Sequence, residues 1–229
     1  MKNILLVLIA FVSLALPIAP CFADLPTIAE LKKAGPEIEQ AAHRGDTKAE
    51  YKLGTMYLTG IYVQQDYNLA AIWYRLAAEK GDPKAQYALS AMYLYEHAPV
   101  PLDHAQGDMW LRKAADQGEP KAEYDLGNMY FHGNGVTRDY VQAAMWYRKA
   151  ADHGDTFAQS ALGNMYFRGD GIPRDYLESY FWFSLSAAHG NNEIANSISK
   201  SMLDSIERKL TKEQVAEAQK RASAWKPRP

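Results

Sequence analysis

The chain has 229 residues, 48% of them apolar, with 25 Lys+Arg against 27 Asp+Glu and a formal net charge of −2. This balance is globular: it excludes disordered, collagenous and polytopic membrane classes, and it leaves no basic field to hold a nucleic-acid backbone. Five Trp, fifteen Tyr and a single Cys are left for the pattern to explain.

The first 23 residues have the layout of a secretory signal peptide: Lys2, an apolar stretch from Ile4 to Leu16, Pro17 and Pro20, then Cys21-Phe22-Ala23. The apolar stretch is shorter than the roughly 20 residues that span a bilayer, which favours a leader cleaved after Ala23 over a permanent anchor. Cys21 raises the possibility of a lipoprotein, but Pro20 precedes it where a lipidation signal takes a small, flexible residue. Cleavage removes the only Cys, so the exported chain is expected to lack disulfides and thiol chemistry, and its stability has to come from packing. Residues 24–48 read as an N-terminal capping helix or half repeat, with Ala41-Ala42-His43-Arg44-Gly45-Asp46 as its tail.

Beyond residue 48 the chain is periodic. Trp73, Trp110, Trp146 and Trp182 are spaced 37, 36 and 36 apart, and the same register recurs at Ala49, Ala85, Ala122 and Ala158, at Tyr57, Tyr93, Tyr130 and Tyr166, and at Gly81, Gly118, Gly154 and Gly190. Four columns in one register define four tandem repeats, 49–84, 85–121, 122–157 and 158–193. The first half of each repeat is an amphipathic helix: Ala122, Leu126, Met129 and Tyr130 form one apolar stripe, repeated by Ala49, Leu53, Met56 and Tyr57. Gly54, Gly127 and Gly163, with Ser90 in the second repeat, interrupt that helix where another must approach closely. The second helix centres on Trp, with small residues three before and four after that form a socket for an indole of a neighbouring repeat. Asp66, Asp103, Asp139 and Asp175 are expected to N-cap it, and Gln106, Gln142 and Glu178 complete an approximate capping box. The turn at Glu96-His97-Ala98-Pro99-Val100-Pro101 is one residue longer than its equivalents and carries two prolines, as a neutral insertion or a contact point. Residues 194–229 read as C-terminal capping helices, the last opened by Thr211-x-x-Gln214 and ending with Trp225 against the final repeat.

The run Ala122-Glu123-Tyr124-Asp125-Leu126-Gly127-Asn128-Met129-Tyr130, followed by Gly133-x-Gly135, Asp139-Tyr140, Trp146-Tyr147 and Lys149-Ala150-Ala151, closely resembles the Sel1-like repeat, a relative of the tetratricopeptide repeat. The resemblance implies an all-α, right-handed α/α solenoid of four helix-turn-helix repeats. It also implies a protein or peptide partner and a place in or outside the bacterial envelope, without enzymatic activity. By analogy with the tetratricopeptide relatives, the first-helix face that lines the concave groove collects Lys121, Tyr124, Asn128 and His132 in the third repeat, and Phe157, Ser160, Asn164 and Arg168 in the fourth. Asn128 and Asn164 are equivalent by register, and an amide offers donors and an acceptor to a peptide backbone. Lys48, Lys84 and Lys121 stack at one further position and favour an acidic ligand.

The catalytic alternative is a penicillin-interacting or other acyl-transfer site at Ser197 and Lys200, a Ser-x-x-Lys. The chain has neither Ser-Asp-Asn nor Lys-Thr-Gly, and a chain of this length contains roughly one Ser-x-x-Lys by accident. A Gly-x-Gly at Gly133 and Gly135 lacks the third Gly and the strand of a dinucleotide cradle. His153 and His189 are equivalent residues of stacked repeats, too far apart to share an ion, so no metal and no cofactor is expected.

Overall fold

The computed structural model describes residues 28–94, 102–189 and 193–228. The leader and the proline-bearing turn lie outside these, as does the side chain of Ser197. Among the described residues there are eleven helices and no strand: α1 (Ile28–His43), α2 (Thr47–Thr59), α3 (Tyr67–Glu79), α4 (Pro83–Leu94), α5 (His104–Asp116), α6 (Pro120–His132), α7 (Tyr140–Asp152), α8 (Thr156–Arg168), α9 (Tyr176–His189), α10 (Glu193–Glu207) and α11 (Lys212–Ala224). None is long and apolar enough to cross a membrane. The chain divides into two compact units, Met1–Gln117 and Gly118–Pro229.

Both units are built from the same helical hairpin, made by local chemistry. Oδ1 of the four Asp-column residues accepts the backbone N–H two or three positions on, at 3.0 Å for Asp66 and Asp103 and 2.9 Å for Asp139 and Asp175. These are N-caps, but the other half of the capping box is replaced. The cap residue's own N–H donates to the carbonyl of the column tyrosine, Asp66 to Tyr57 and Asp175 to Tyr166 at 2.9 Å, so the turn itself meets the need that a Gln or Glu side chain was expected to meet.

The mid-helix glycines mark where the second helix of the same repeat leans in. A methyl group at Gly54, Gly127 or Gly163 would stand 2.7, 2.5 or 2.9 Å from the ring of Tyr74, Tyr147 or Phe183, the residue after each Trp. Two of the indoles face the preceding repeat of their own unit. Trp110 shares a buried cluster with Ala70 and Ala77, and Trp182 shares one with Ala143 and Ala150. In the first and third repeats the residue two after Trp closes the seam: Arg75 donates to the Tyr93 hydroxyl, and Arg148 donates to the Tyr166 hydroxyl with its guanidinium 4.7 Å from the Trp182 ring. This gives the tyrosine column a second role.

In the second unit, α10 and α11 both pack on α9. Thr211 and Gln214 form a full capping box, and α11 lays Val215 and Ala218 into the core that holds Phe181. Arg221 pairs with Glu178 at 2.5 Å and stacks over Phe181. Trp225 stands 5.9 Å from His189, docking the tail on the final repeat.

Candidate functional site

The residues expected to line a groove in the third and fourth repeats lie on α6 and α8, both within the second unit. Lys121, Tyr124, Asn128, Ser160 and Asn164 are half-buried, while His132, Phe157 and Arg168 are exposed. The rings of Tyr124 and Phe157 meet at 6.0 Å, which brings the two repeats' faces together. His132 turns edge-on to Phe131 at 5.1 Å. Lys48 and Lys84 are exposed on α2 and α4 of the first unit.

The two asparagines differ. Asn128 Oδ1 accepts from the Tyr147 hydroxyl at 2.8 Å, and Asn128 also bonds Tyr124, whose hydroxyl is pushed above its usual pKa by burial with the Asn128 hydrogen bond acting the other way. Its amide is therefore part of an internal network. In the fourth repeat Phe183 replaces Tyr147 and Ser160 replaces Tyr124, so both hydroxyls are gone, and among the described residues no side chain bonds Asn164. What the fourth repeat leaves is an open amide, a hydroxyl and a Phe157 that is 40% exposed. Alanine at the same position of the second repeat, Ala91, is buried, so the amide is particular to the third and fourth repeats.

A second column was not anticipated. Glu50, Gln86, Glu123 and Gln159 occupy one register position on successive first helices, and all are buried. Glu50 pairs with Lys80 at 2.6 Å, Gln86 accepts from Gln117 at 2.7 Å and Glu123 meets His153 Nδ1 at 2.7 Å. The partner is each time the residue at the end of the repeat's second helix. Burial raises the Glu123 pKa, and His153 and Lys149 act to lower it. His153 is thus held by a buried carboxylate. His189, in the same column, instead bonds the Leu185 carbonyl, and Gln159 Oε1 is left without a partner among the described residues. The alternation of Glu and Gln at the 36-residue period was the available signal.

Of the remaining candidates, Ser197 has its side chain outside the described residues. Lys200 is exposed, and the buried serine of its helix, Ser199, donates to Ser186 Oγ at 3.1 Å. Among the described residues no three His, Cys, Asp or Glu side chains gather as a metal would require.

A stack of short helical hairpins with one recurring register defines an all-α helical solenoid. The Sel1 repeat matches residues 47–82, 83–119, 120–155 and 156–191, and the chain belongs to the Sel1 repeat family. Each matched repeat begins two residues before the alanine column, at the start of its first helix. Among solved structures, the chain is similar to c5321, a protective antigen of uropathogenic Escherichia coli with an SLR fold, at 34% identity and a TM-score of 0.68, covering 83% of this chain and 40% of that one. It is similar to a Sel1 repeat protein from Oxalobacter formigenes at 38% identity and a TM-score of 0.67, covering 75% of this chain and 49% of that one. The immunity protein Pa5087 of Pseudomonas aeruginosa shares the fold alone, at 19% identity and a TM-score of 0.51 over 86% of this chain and 83% of that one. The chain thus spans less than two thirds of the length of the first two relatives. No curated protein matches it.

Proposed function

We propose that the chain is a non-enzymatic interaction scaffold of the bacterial envelope or exterior, and that it holds an extended segment of another protein along the faces of α6 and α8. The observation that carries this reading is the contrast between the asparagines: Asn164 keeps an open amide beside Ser160 and the exposed Phe157, whereas Asn128 is used up internally. An amide pairs with any peptide backbone, and an exposed aromatic ring supplies apolar area for one side chain, a combination that suits a strand-like ligand. The family supports the interaction role, and the leader-like first 23 residues support export.

A photo-crosslinking residue at Ser160, introduced in the native host, is expected to capture a protein, and Asn164→Ala to reduce that capture with helicity unchanged. The same residue at Val141, 62% exposed on α7, is the control. Equal capture from Val141, or capture indifferent to Asn164→Ala, defeats the assignment.

A further inference from the structure

Four turn glycines share one register, Gly45, Gly81, Gly118 and Gly154, with φ of +87°, +94°, +82° and +95°. Only glycine adopts this left-handed conformation without strain, and each leaves a bare backbone face. Three of the faces are covered. A Cβ at Gly45 would meet Lys80 Nζ at 3.3 Å, and one at Gly118 would meet His153 Cε1 at 3.3 Å. At Gly154 the cover is the chain's own tail, Pro227 at 3.3 Å and Trp225 at 3.9 Å. No described atom comes within 4 Å of the same point at Gly81. Gln117 stands in the column of Lys80 and His153, but its amide donates to Gln86 at 2.7 Å and to the Lys113 carbonyl at 3.4 Å. A slot of about 440 Å³ results, bordered by Glu79, Gln86, Trp110, Lys113, Asp116 and Gln117, all in the first unit.

The covered slot at Gly154 shows what such a place accepts. The Arg228 N–H donates to the Asp152 carbonyl at 2.8 Å, its guanidinium pairs with the Asp152 carboxylate at 3.1 Å, Pro227 rests on the glycine and Trp225 lies beside His189. In the open slot Glu79 occupies the register of Asp152, Gln117 that of His189 and Trp110 that of Trp182. Glu79 and Asp116 are exposed carboxylates with no ion pair among the described residues, whereas Lys113 lies over the Trp110 ring at 4.4 Å. The rim is therefore suited to a cation. We propose that the slot at Gly81 binds a segment of a partner protein with the order Trp-x-Pro-Arg, seated as the chain's own tail is seated at Gly154. This site is separate from the α6–α8 face and does not depend on it.

The test is fluorescence anisotropy with a labelled Ala-Trp-Lys-Pro-Arg peptide, the sequence of residues 224–228, titrated with the full chain. Saturable binding is expected. Gln117→His, which closes the slot as His153 closes the one at Gly118, and Glu79→Lys, which reverses the charge facing the arginine, should each weaken binding about tenfold. Both residues are exposed, so circular dichroism should be unchanged, and Asn164→Ala should bind normally. Absence of saturation at millimolar peptide overturns the proposal, as does binding unaffected by Gln117→His, which would place the peptide elsewhere. Self-association of the full chain that is lost on removing residues 225–229 would make a second copy the occupant, and would also overturn it.

Discussion

At Gly127 a methyl group would stand 2.5 Å from the buried ring of Tyr147, so the position sets helix propensity against packing. Alanine gains about 1 kcal/mol of helix propensity, and overpacking a closed interior costs about 1–3 kcal/mol. Gly127→Ala should therefore lower stability in urea unfolding, and Tyr147→Leu should relieve the clash, since the second repeat already pairs Ser90 with Leu111 at these positions, both buried. A coupling above about 0.5 kcal/mol in the double-mutant cycle is the expected reading. Glu123 makes a second prediction. Burial holds its folded pKa above the ordinary value, so the folded chain binds that proton more tightly than the unfolded chain does. Its contribution to stability is then complete below the unfolded value and is lost as pH rises through the raised one. Glu123→Gln, the residue of the second and fourth repeats, should flatten the fall in stability from pH 4 upward, while leaving His153 an acceptor. A slope equal to that of the parent chain would refute this account.

The elements differ in how their outer faces are covered. The residue before each Trp is Ile72 at 53% exposure, Met109 at 36%, Met145 at 40% and Phe181 at 6%, and only the last is under α11. Phe181→Ala should cost about 3 kcal/mol, whereas Met145→Ala, at the same register position, should fall within about 0.5 kcal/mol. Comparable losses would mean that α11 does not protect α9. Helix boundaries were legible in the sequence because caps act over two or three residues: Asp139 and Thr211 bind the N–H groups just ahead of them whatever lies elsewhere. The capping-box half at the Asp column was misjudged for a tertiary reason. The tyrosine carbonyl, nine or ten residues back, reaches the same N–H first.

At the scale of the molecule, each unit's core is a sum of neighbour interfaces, so its ends need cover. The tail 225–228 supplies it in the second unit, where the Arg228 side chain that pairs with Asp152 is largely exposed, so that solvent screens the pair to about 1 kcal/mol at most. Its removal should lower stability only modestly, by about 1–2 kcal/mol counting the apolar area of Trp225 and Pro227. It should also raise the number of peptide sites from one to two, as Gly154 is uncovered; calorimetric stoichiometry would show it.

Repeat number, hairpin architecture, capping residues and the close-approach glycines were determined by the sequence alone. Each is written in spacings of two to four residues or in one 36-residue period, and a periodic stack returns every copy to the same surroundings. Partnership was decided by the tertiary structure. Asn128 and Asn164 are identical in sequence register, yet one is engaged and the other open, because a Tyr at position 147 and a Phe at position 183, each 19 residues on, present a hydroxyl to the first and none to the second. Gly45, Gly81, Gly118 and Gly154 are likewise identical in register, and only the length and direction of the side chain arriving some 35 residues later, or of the tail, closes three and leaves one open. Equivalent positions share a backbone environment; the atoms that reach across to them are set by the one residue in each column that differs.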